Sequence, residues 1–250
     1  MPDEAFASNI FEWTSDVATL IAERGAPPWK RRLTLPAYRV VDAARYAGIS
    51  SETVRNWERA AWNAPSIVTG REKGVSLSYL QLVELAFVAQ LRRAGLSIKK
   101  IQAARDYMRA AFTSEFPFAE HRFKTDGQDI ILQYNQLVAD QPEEKLLIAN
   151  KSGQLAWKSI LGPKFTEFEY EADLAVRWHP RGNASPVFID PRISFGAPTV
   201  KGVATWAIRG RYDGGESIED IAEDFSITPH EVDDALKFEG INLSELKAWS

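Results

Sequence analysis

Several polar side chains between residues 51 and 59 have the types and the spacing to contact a nucleic-acid duplex. Arg55, Asn56 and Arg59 face outward on a short helical pattern, together with Ser51 and Glu52. Arginine and asparagine form paired hydrogen bonds with the edges of guanine and adenine, and arginine also binds phosphate. The pattern predicts a recognition helix that enters the major groove, whereas the alternative is a helix that serves packing only.

The elements that would position these side chains form a helix-turn-helix from Tyr38 to Arg59. Gly48 supplies a tight turn between two helices, and Ser50 can cap the second of them. The residues that would face the core are small in the first helix and larger in the second: Val40, Ala43, Ala44, Ile49, Val54 and Trp57. A small inward face lets a second helix cross closely.

The charge of the chain is divided unevenly. Residues 30–109 hold 15 Lys and Arg against 6 Asp and Glu, a net of +9, whereas the whole chain is −4 (30 against 34). The remainder therefore carries −13 (15 against 28). A basic region joined to an acidic remainder indicates a protein that binds a polyanion with one part.

The residues after the helix-turn-helix extend this interpretation. The run from Gly70 to Gly74 contains Arg71 and Lys73 and is typical of the tip of a two-stranded wing. A helix should follow, with an inward face made of Leu80, Val83, Phe87 and Leu91.

Composition argues against several other classes of protein. The chain has no Cys, so disulfides, thiolate metal sites and cysteine nucleophiles are excluded. His121, His179 and His230 are far apart in sequence and form no metal-binding motif. We therefore expect no metal, no cofactor and no enzymatic activity. The acidic N-terminus and the lack of a long apolar run predict a cytoplasmic protein without a membrane span.

The chain divides into four regions of different pattern, and we expect an α+β fold. Residues 1–35 form an N-terminal helical extension, and 36–115 form the winged helix-turn-helix. Residues 116–182 are β-rich, because apolar residues alternate from Phe168 to Trp178 as in a strand or hairpin. Residues 183–250, here called the C-terminal module, are acidic and helical, and the stretch Pro180 to Gly202 is predicted to be a linker.

The C-terminal module contains a second helix-turn-helix pattern, with Ser217 and Thr228 as helix caps and Pro229 at a first helical position. From Asp213 to Gly240 it has 10 acidic residues against 1 basic residue, a net of −9. DNA would repel this surface, so we interpret the module as a dimerisation or partner-binding unit. A purely structural role is the alternative.

Five residues of the module are candidates for partner binding. An apolar stripe near the C-terminal end would either fold back on its own module or lie in a groove of a partner. Two arginines upstream could assist in docking. The candidates are Arg209, Arg211, Leu243, Leu246 and Trp249.

The basic region resembles the MerR-like winged helix-turn-helix family through "DAARYAGISSETVRNWE" and "LRRAGLSIKKI". The resemblance implies that Thr53, Arg55 and Asn56 face DNA and that wing residues contact phosphates. The chain departs from the family in lacking its long coiled-coil helix and its effector-binding cysteines. Because one winged helix contacts only a few base pairs, we expect a homodimer on inverted half-sites.

The C-terminal module resembles a domain-of-unknown-function family found in bacterial antitoxins, through "IDPxIxxGxPxVxG" and "SIEDIAEDFSIT". The combination resembles VapB-type antitoxins. The resemblance implies two partners, double-stranded operator DNA and a PIN-like ribonuclease toxin. The alternative is an effector-sensing regulator whose β-rich region binds a small molecule.

Overall fold

The fold is that of a computed structural model, which describes residues 27–59, 66, 72, 74–99, 101–102, 105–106, 109, 114–120, 165–172 and 174–243. Its elements combine helices with two small antiparallel sheets, so the predicted α+β class is confirmed. Among the described residues, no helix is both long and apolar enough to cross a membrane.

The N-terminal part is helical. Its helices are α1 (Pro28–Arg32), α2 (Val40–Ala47), α3 (Ser51–Glu58), α4 (Tyr79–Arg93) and α5 (Pro117–Glu120). Helix α4 starts at a capping box, in which Ser78 Oγ accepts from the Gln81 N–H and Gln81 Oε1 accepts from the Ser78 N–H. The four predicted inward residues of α4 are buried, and so are most of its others, because this helix is central and neighbours surround it.

A β-hairpin covers one side of these helices. Strands β1 (Phe168–Glu171) and β2 (Leu174–Trp178) pair antiparallel with an irregularity between Glu169 and Tyr170. The alternation predicted from Phe168 to Trp178 holds in β1. It is wrong at Ala172, which it places inward, and at Ala175, which it places outward and which is fully buried. Ala172 is exposed and has φ 46°, because the chain reverses there.

The stretch Pro180 to Gly202 is not the linker that its proline and glycine content predicts. Val187, Ile189 and Asp190 are fully buried, and Ile189 forms an antiparallel bridge with Trp178 of β2. Further along, β3 (Thr199–Val200) pairs with β4 (Val203–Ala204). Proline and glycine serve tight turns inside a packed segment here, which composition alone does not distinguish from a linker.

The aspartate of the "IDPxI" motif has a structural role at this point. Asp190 accepts hydrogen bonds from the Arg192 backbone N–H (2.9 Å) and from its guanidinium (2.7 Å), and Arg177 lies 3.3 Å away. Burial alone would raise the pKa of Asp190, but the hydrogen bonds from Arg192 outweigh it and lower the pKa. A charged aspartate is thereby kept inside the fold.

The C-terminal module ends in three helices, α6 (Thr205–Asp213), α7 (Ile218–Phe225) and α8 (Pro229–Phe238). Ser217 Oγ accepts from the Asp220 N–H (3.0 Å), and Thr228 forms a capping box with Glu231. The predicted caps and the position of Pro229 are therefore confirmed. Helix α6 ends at Asp213, directly before Gly214.

Two hydrophobic cores support these parts. The first holds α2 to α5, continues into the hairpin through Phe168 and Trp178, and reaches Ile189 in the segment that follows. The second lies inside the C-terminal module, around Ile208, Ile221 and Leu236. Because the first core includes residues from the predicted middle region, the N-terminal helices depend on the hairpin for part of their burial.

Candidate nucleic-acid interface

The turn between α2 and α3 is fixed by Gly48. Its φ of 66° lies in the left-handed region, and its N–H bonds to the last carbonyls of α2. A Cβ at this position would lie 3.1 Å from Arg93 Nη1, which donates to the Ala47 carbonyl at 2.7 Å. The glycine is thus required both by backbone conformation and by the close approach of Arg93.

Helix α3 buries one face and exposes the other. Val54 and Trp57 are 0% and 8% exposed and anchor the helix on the first core. Ser50 Oγ accepts from the Thr53 N–H (3.0 Å), and the two hydroxyls lie 2.9 Å apart, so the start of α3 is well fixed. The exposed face can therefore be presented as a rigid unit.

The predicted base-reading side chains lie on this exposed face. Arg55, Asn56 and Arg59 are exposed, whereas Ser51 and Thr53 are half-buried. Within the part of the chain that the structure describes, neither Arg55 nor Arg59 forms an ion pair. Their guanidinium groups are accordingly available for an external anion.

The base of the predicted wing is tied to the helix-turn-helix. Leu77 and Tyr38 form an antiparallel bridge just before α2, with N–H to carbonyl distances of 2.8 and 2.9 Å. The wing cations Arg71 and Lys73 lie outside the described residues, so their assignment stays a prediction. The bridge places Leu77, which follows the predicted wing, beside the start of α2.

Arg39 is a further exposed cation that the motif reasoning missed. Its side chain is 78% exposed at the N-cap of α2 and pairs with Asp42 at 2.6 Å, which raises the pKa of Arg39. The signal in the sequence was its position directly before a helix start. Phosphates often lie at such positions.

The C-terminal module is docked directly on α2. Arg45 pairs with Glu239 at 3.1 Å and donates to the Phe238 carbonyl at 2.8 Å. Tyr46 stacks on the Phe238 ring at 5.4 Å, and burial raises the pKa of Tyr46 to about 12. Arg45 is therefore engaged within the protein. The Tyr38 hydroxyl also donates to the Gly196 carbonyl at 2.8 Å. We call this junction between the N-terminal helices and the C-terminal module the seam.

Some of the residues predicted to bind a partner already contact other residues of the C-terminal module. Arg211 pairs with Glu216 and with Asp224 (2.5 Å), and Arg209 pairs with Asp213 (3.3 Å) and donates to the Glu239 carbonyl. Leu243 is half-buried against the second core. Leu246 and Trp249 lie outside the described residues. Both arginines thus have partners within the module.

The comparisons with known families agree with this division. Residues 38–108 match the family described as "MerR HTH family regulatory protein", and residues 187–238 match "Protein of unknown function (DUF433)". A MerR-like helix-turn-helix joined to a module of this second family is the arrangement that the sequence motifs predicted, and the resemblance to VapB-type antitoxins is confirmed.

A curated sequence and a crystal structure, both from Mycobacterium tuberculosis, resemble most of the chain. The protein named "Putative antitoxin VapB45", of strain ATCC 25618 / H37Rv, is 26% identical over 227 residues, which cover 82% of this chain and 94% of the relative. The crystal structure of Rv2018 superposes with a TM-score of 0.66 at 24% identity, covering 82% of this chain and 99% of that chain. The likeness to Rv2018 shows a shared fold.

Proposed function

We propose that this chain is a DNA-binding antitoxin of a type II toxin–antitoxin system that represses its own operon. The observation that carries the DNA-binding part is the exposed face of α3, where Arg55, Asn56 and Arg59 are held by a buried anchor. The match of residues 38–108 to a MerR family of regulatory proteins supports it. Phosphate contacts would fix the position on DNA, and α3 would read the bases.

We propose further that operator binding requires a homodimer. A single reading helix contacts too few base pairs to single out one site in a genome. Two copies would need inverted half-sites about one helical turn apart, or a multiple of it. Footprinting on the DNA upstream of the chain's own gene should show two protected half-sites, and protection of one asymmetric site by a monomer would contradict the proposal.

The proposed toxin is a PIN-like ribonuclease, bound by the C-terminal module. Two observations support this proposal. The chain is similar to the protein named "Putative antitoxin VapB45", and its C-terminal module matches a family that the sequence analysis associated with antitoxins. The acidic helices are poorly suited to a carboxylate-lined nuclease site, so docking would be apolar and beside that site. Because Arg209 and Arg211 are already paired, the apolar end around Leu246 and Trp249 is the stronger candidate.

Co-expression tests the toxin proposal in the full-length chain. Leu246→Asp with Trp249→Asp should abolish rescue of growth from a ribonuclease encoded next to the chain, while operator binding stays unchanged. Ser244→Asp with Ser250→Asp adds the same charge off the apolar stripe and should retain rescue. If the first pair still rescues growth, this end of the chain is not the toxin site.

A further inference from the structure

Four large hydrophobic side chains are exposed among the described residues, and each belongs to a segment that takes part in the seam or adjoins it. Phe195 is 77% exposed, Trp206 65%, Val41 60% and Leu35 55%. We call these four residues the seam patch. Isolated exposed hydrophobic residues need no explanation, but a group gathered at one junction marks a binding surface.

Contacts across the seam join the segments that carry the four residues. The Arg32 guanidinium lies 4.4 Å over the Phe195 ring, three residues before Leu35. Trp206 follows Thr205, whose hydroxyl donates to Glu239. Glu239 in turn pairs with Arg45, one helical turn after Val41. Leu35 and Val41 thus belong to the N-terminal side of the seam, and Phe195 and Trp206 to the C-terminal side.

The backbone presents Phe195 at a conformational cost. Ser194 and Phe195 have φ of 45° and 56°, in the left-handed region that residues with a Cβ avoid. Ser194 Oγ holds this turn by donating to the Gly202 carbonyl at 2.6 Å. At Gly196, any Cβ would lie 2.4 Å from the Tyr38 hydroxyl oxygen. Strained backbone that holds an aromatic side chain in solvent is typical of a functional surface.

The first 26 residues of the chain have the chemistry to cover this surface. They lie outside the described residues, and their sequence holds apolar residues at helical spacing: Ile10, Trp13, Val17, Leu20 and Ile21. They carry five acidic residues against Arg24, a net of −4. Two arginines border the segments of the patch: Arg32, whose guanidinium lies over the Phe195 ring, and Arg39, which is 78% exposed two residues before Val41 and pairs with Asp42. An apolar stripe with acidic flanks complements an apolar patch bordered by arginines.

The connection to α1 favours a segment of the same chain over a second copy. Trp29 lies 5.8 Å from the Arg192 guanidinium, and Arg32 donates to the Pro191 carbonyl at 3.2 Å, so α1 is fixed beside the patch. A tethered segment acts at an effective concentration on the order of millimolar, which a free second copy does not reach. We propose that residues 1–26 dock their apolar stripe on the seam patch of their own chain.

Cysteine crosslinking tests the proposal cleanly because the chain has no Cys. Two double variants of the full-length chain are made, Val17→Cys with Trp206→Cys and Val17→Cys with Phe195→Cys. Each purified variant is treated with a short bismaleimide. The expected product is a crosslink within one chain from at least one pair. Ser15→Cys, on the opposite side of the helical pattern, is the matched control and should crosslink much less.

Every other result overturns the proposal. A covalent dimer would mean that a second copy covers the patch, and equal crosslinking by the Ser15→Cys control would mean contact without an oriented stripe. No crosslink from either pair would mean that the segment lies elsewhere. As a second measurement, Trp13→Asp with Val17→Asp should increase binding of a hydrophobic dye several-fold over Ser15→Asp with Thr19→Asp, and an unchanged signal would also count against docking.

Discussion

For single residues, the proposed recognition assigns base reading to Arg55 and a contact with phosphate to Lys73. We expect Arg55→Ala to relax the base preference at one position of each half-site, at a cost of about 1–3 kcal/mol for the preferred base. Lys73→Ala should weaken binding to all sequences alike. Fluorescence anisotropy against an operator and its single-base variants measures both effects, with Arg209→Ala, remote from α3, as the control.

If Arg55→Ala weakened every sequence by the same factor, Arg55 would be a phosphate contact and not a base reader. That result would move base recognition to Asn56 or Arg59, the other exposed members of the same face.

Gly48 is the residue on which the angle between α2 and α3 depends most. Gly48→Ala places a Cβ in left-handed backbone and 3.1 Å from Arg93 Nη1, so we expect a loss of about 1–2 kcal/mol in the free energy of unfolding. Gly210→Ala is a suitable contrast, because Gly210 lies in α6 with open space around its Cβ position. It should stabilise by about 0.5–1 kcal/mol. Urea denaturation of both variants tests this, and equal effects would contradict the account.

At the scale of elements, local features of the sequence were predictable and distant pairings were not. The glycine turn at Gly48 and the caps at Ser50, Ser217 and Thr228 depend on residues within about four positions, so their patterns are visible in the sequence. The hydrogen bond from Arg45 to Phe238 joins residues 193 positions apart. No local pattern marks Arg45 as a docking residue, and charge alone would have assigned it to DNA.

The seam should contribute measurably to stability through Arg45 and Glu239. Glu239 is 8% exposed and Arg45 36%, so their pairing is partly shielded from solvent. A double-mutant cycle with Arg45→Ala and Glu239→Ala should give a coupling energy of roughly 0.5–3 kcal/mol. Additive effects of the two changes, measured by denaturation, would mean that α2 and the C-terminal module are held together by packing alone.

A second long-range pair ties α4 to the segment around α5. Glu84 and Arg105 are almost fully buried with 3.1 Å between Oε2 and Nε, and Glu84 Oε1 also accepts from the Phe118 N–H (2.6 Å). Burial raises the pKa of Glu84 to about 7, although Arg105 and these hydrogen bonds oppose it. The folded state therefore binds a proton more tightly than the unfolded state.

The sign of the resulting pH dependence follows from this raised pKa. The contribution of Glu84 to stability is fully present below its unfolded pKa, near 4.5, and is lost as pH rises through about 7. Glu84→Gln removes the titrating group, so the free energy of unfolding of the variant should depend less steeply on pH between 4.5 and 7. Denaturation across that range checks the slope. Identical slopes for both proteins would mean that the pKa of Glu84 is not raised.

At the scale of the whole molecule, the division of charge matches the division of elements. The basic residues of 30–109 include the exposed arginines in and directly after α3, and the −9 stretch from Asp213 to Gly240 contains α7 and α8 of the C-terminal module. Because the module is docked on α2 through the seam, whatever binds it can affect how α3 meets DNA. The sequence predicted both parts but not this contact, since it depends on the packing of the complete chain.

The proposed recognition of operator DNA is best tested by the salt dependence of binding to the chain's own operator. If roughly five phosphates are neutralised, log K against log salt concentration should fall with a slope of about −4 to −5. The wild-type chain should prefer operator over scrambled DNA at every salt concentration, and Arg55→Ala should reduce that preference. A flat salt dependence, or equal binding of operator and scrambled DNA by the wild-type chain, would contradict the account.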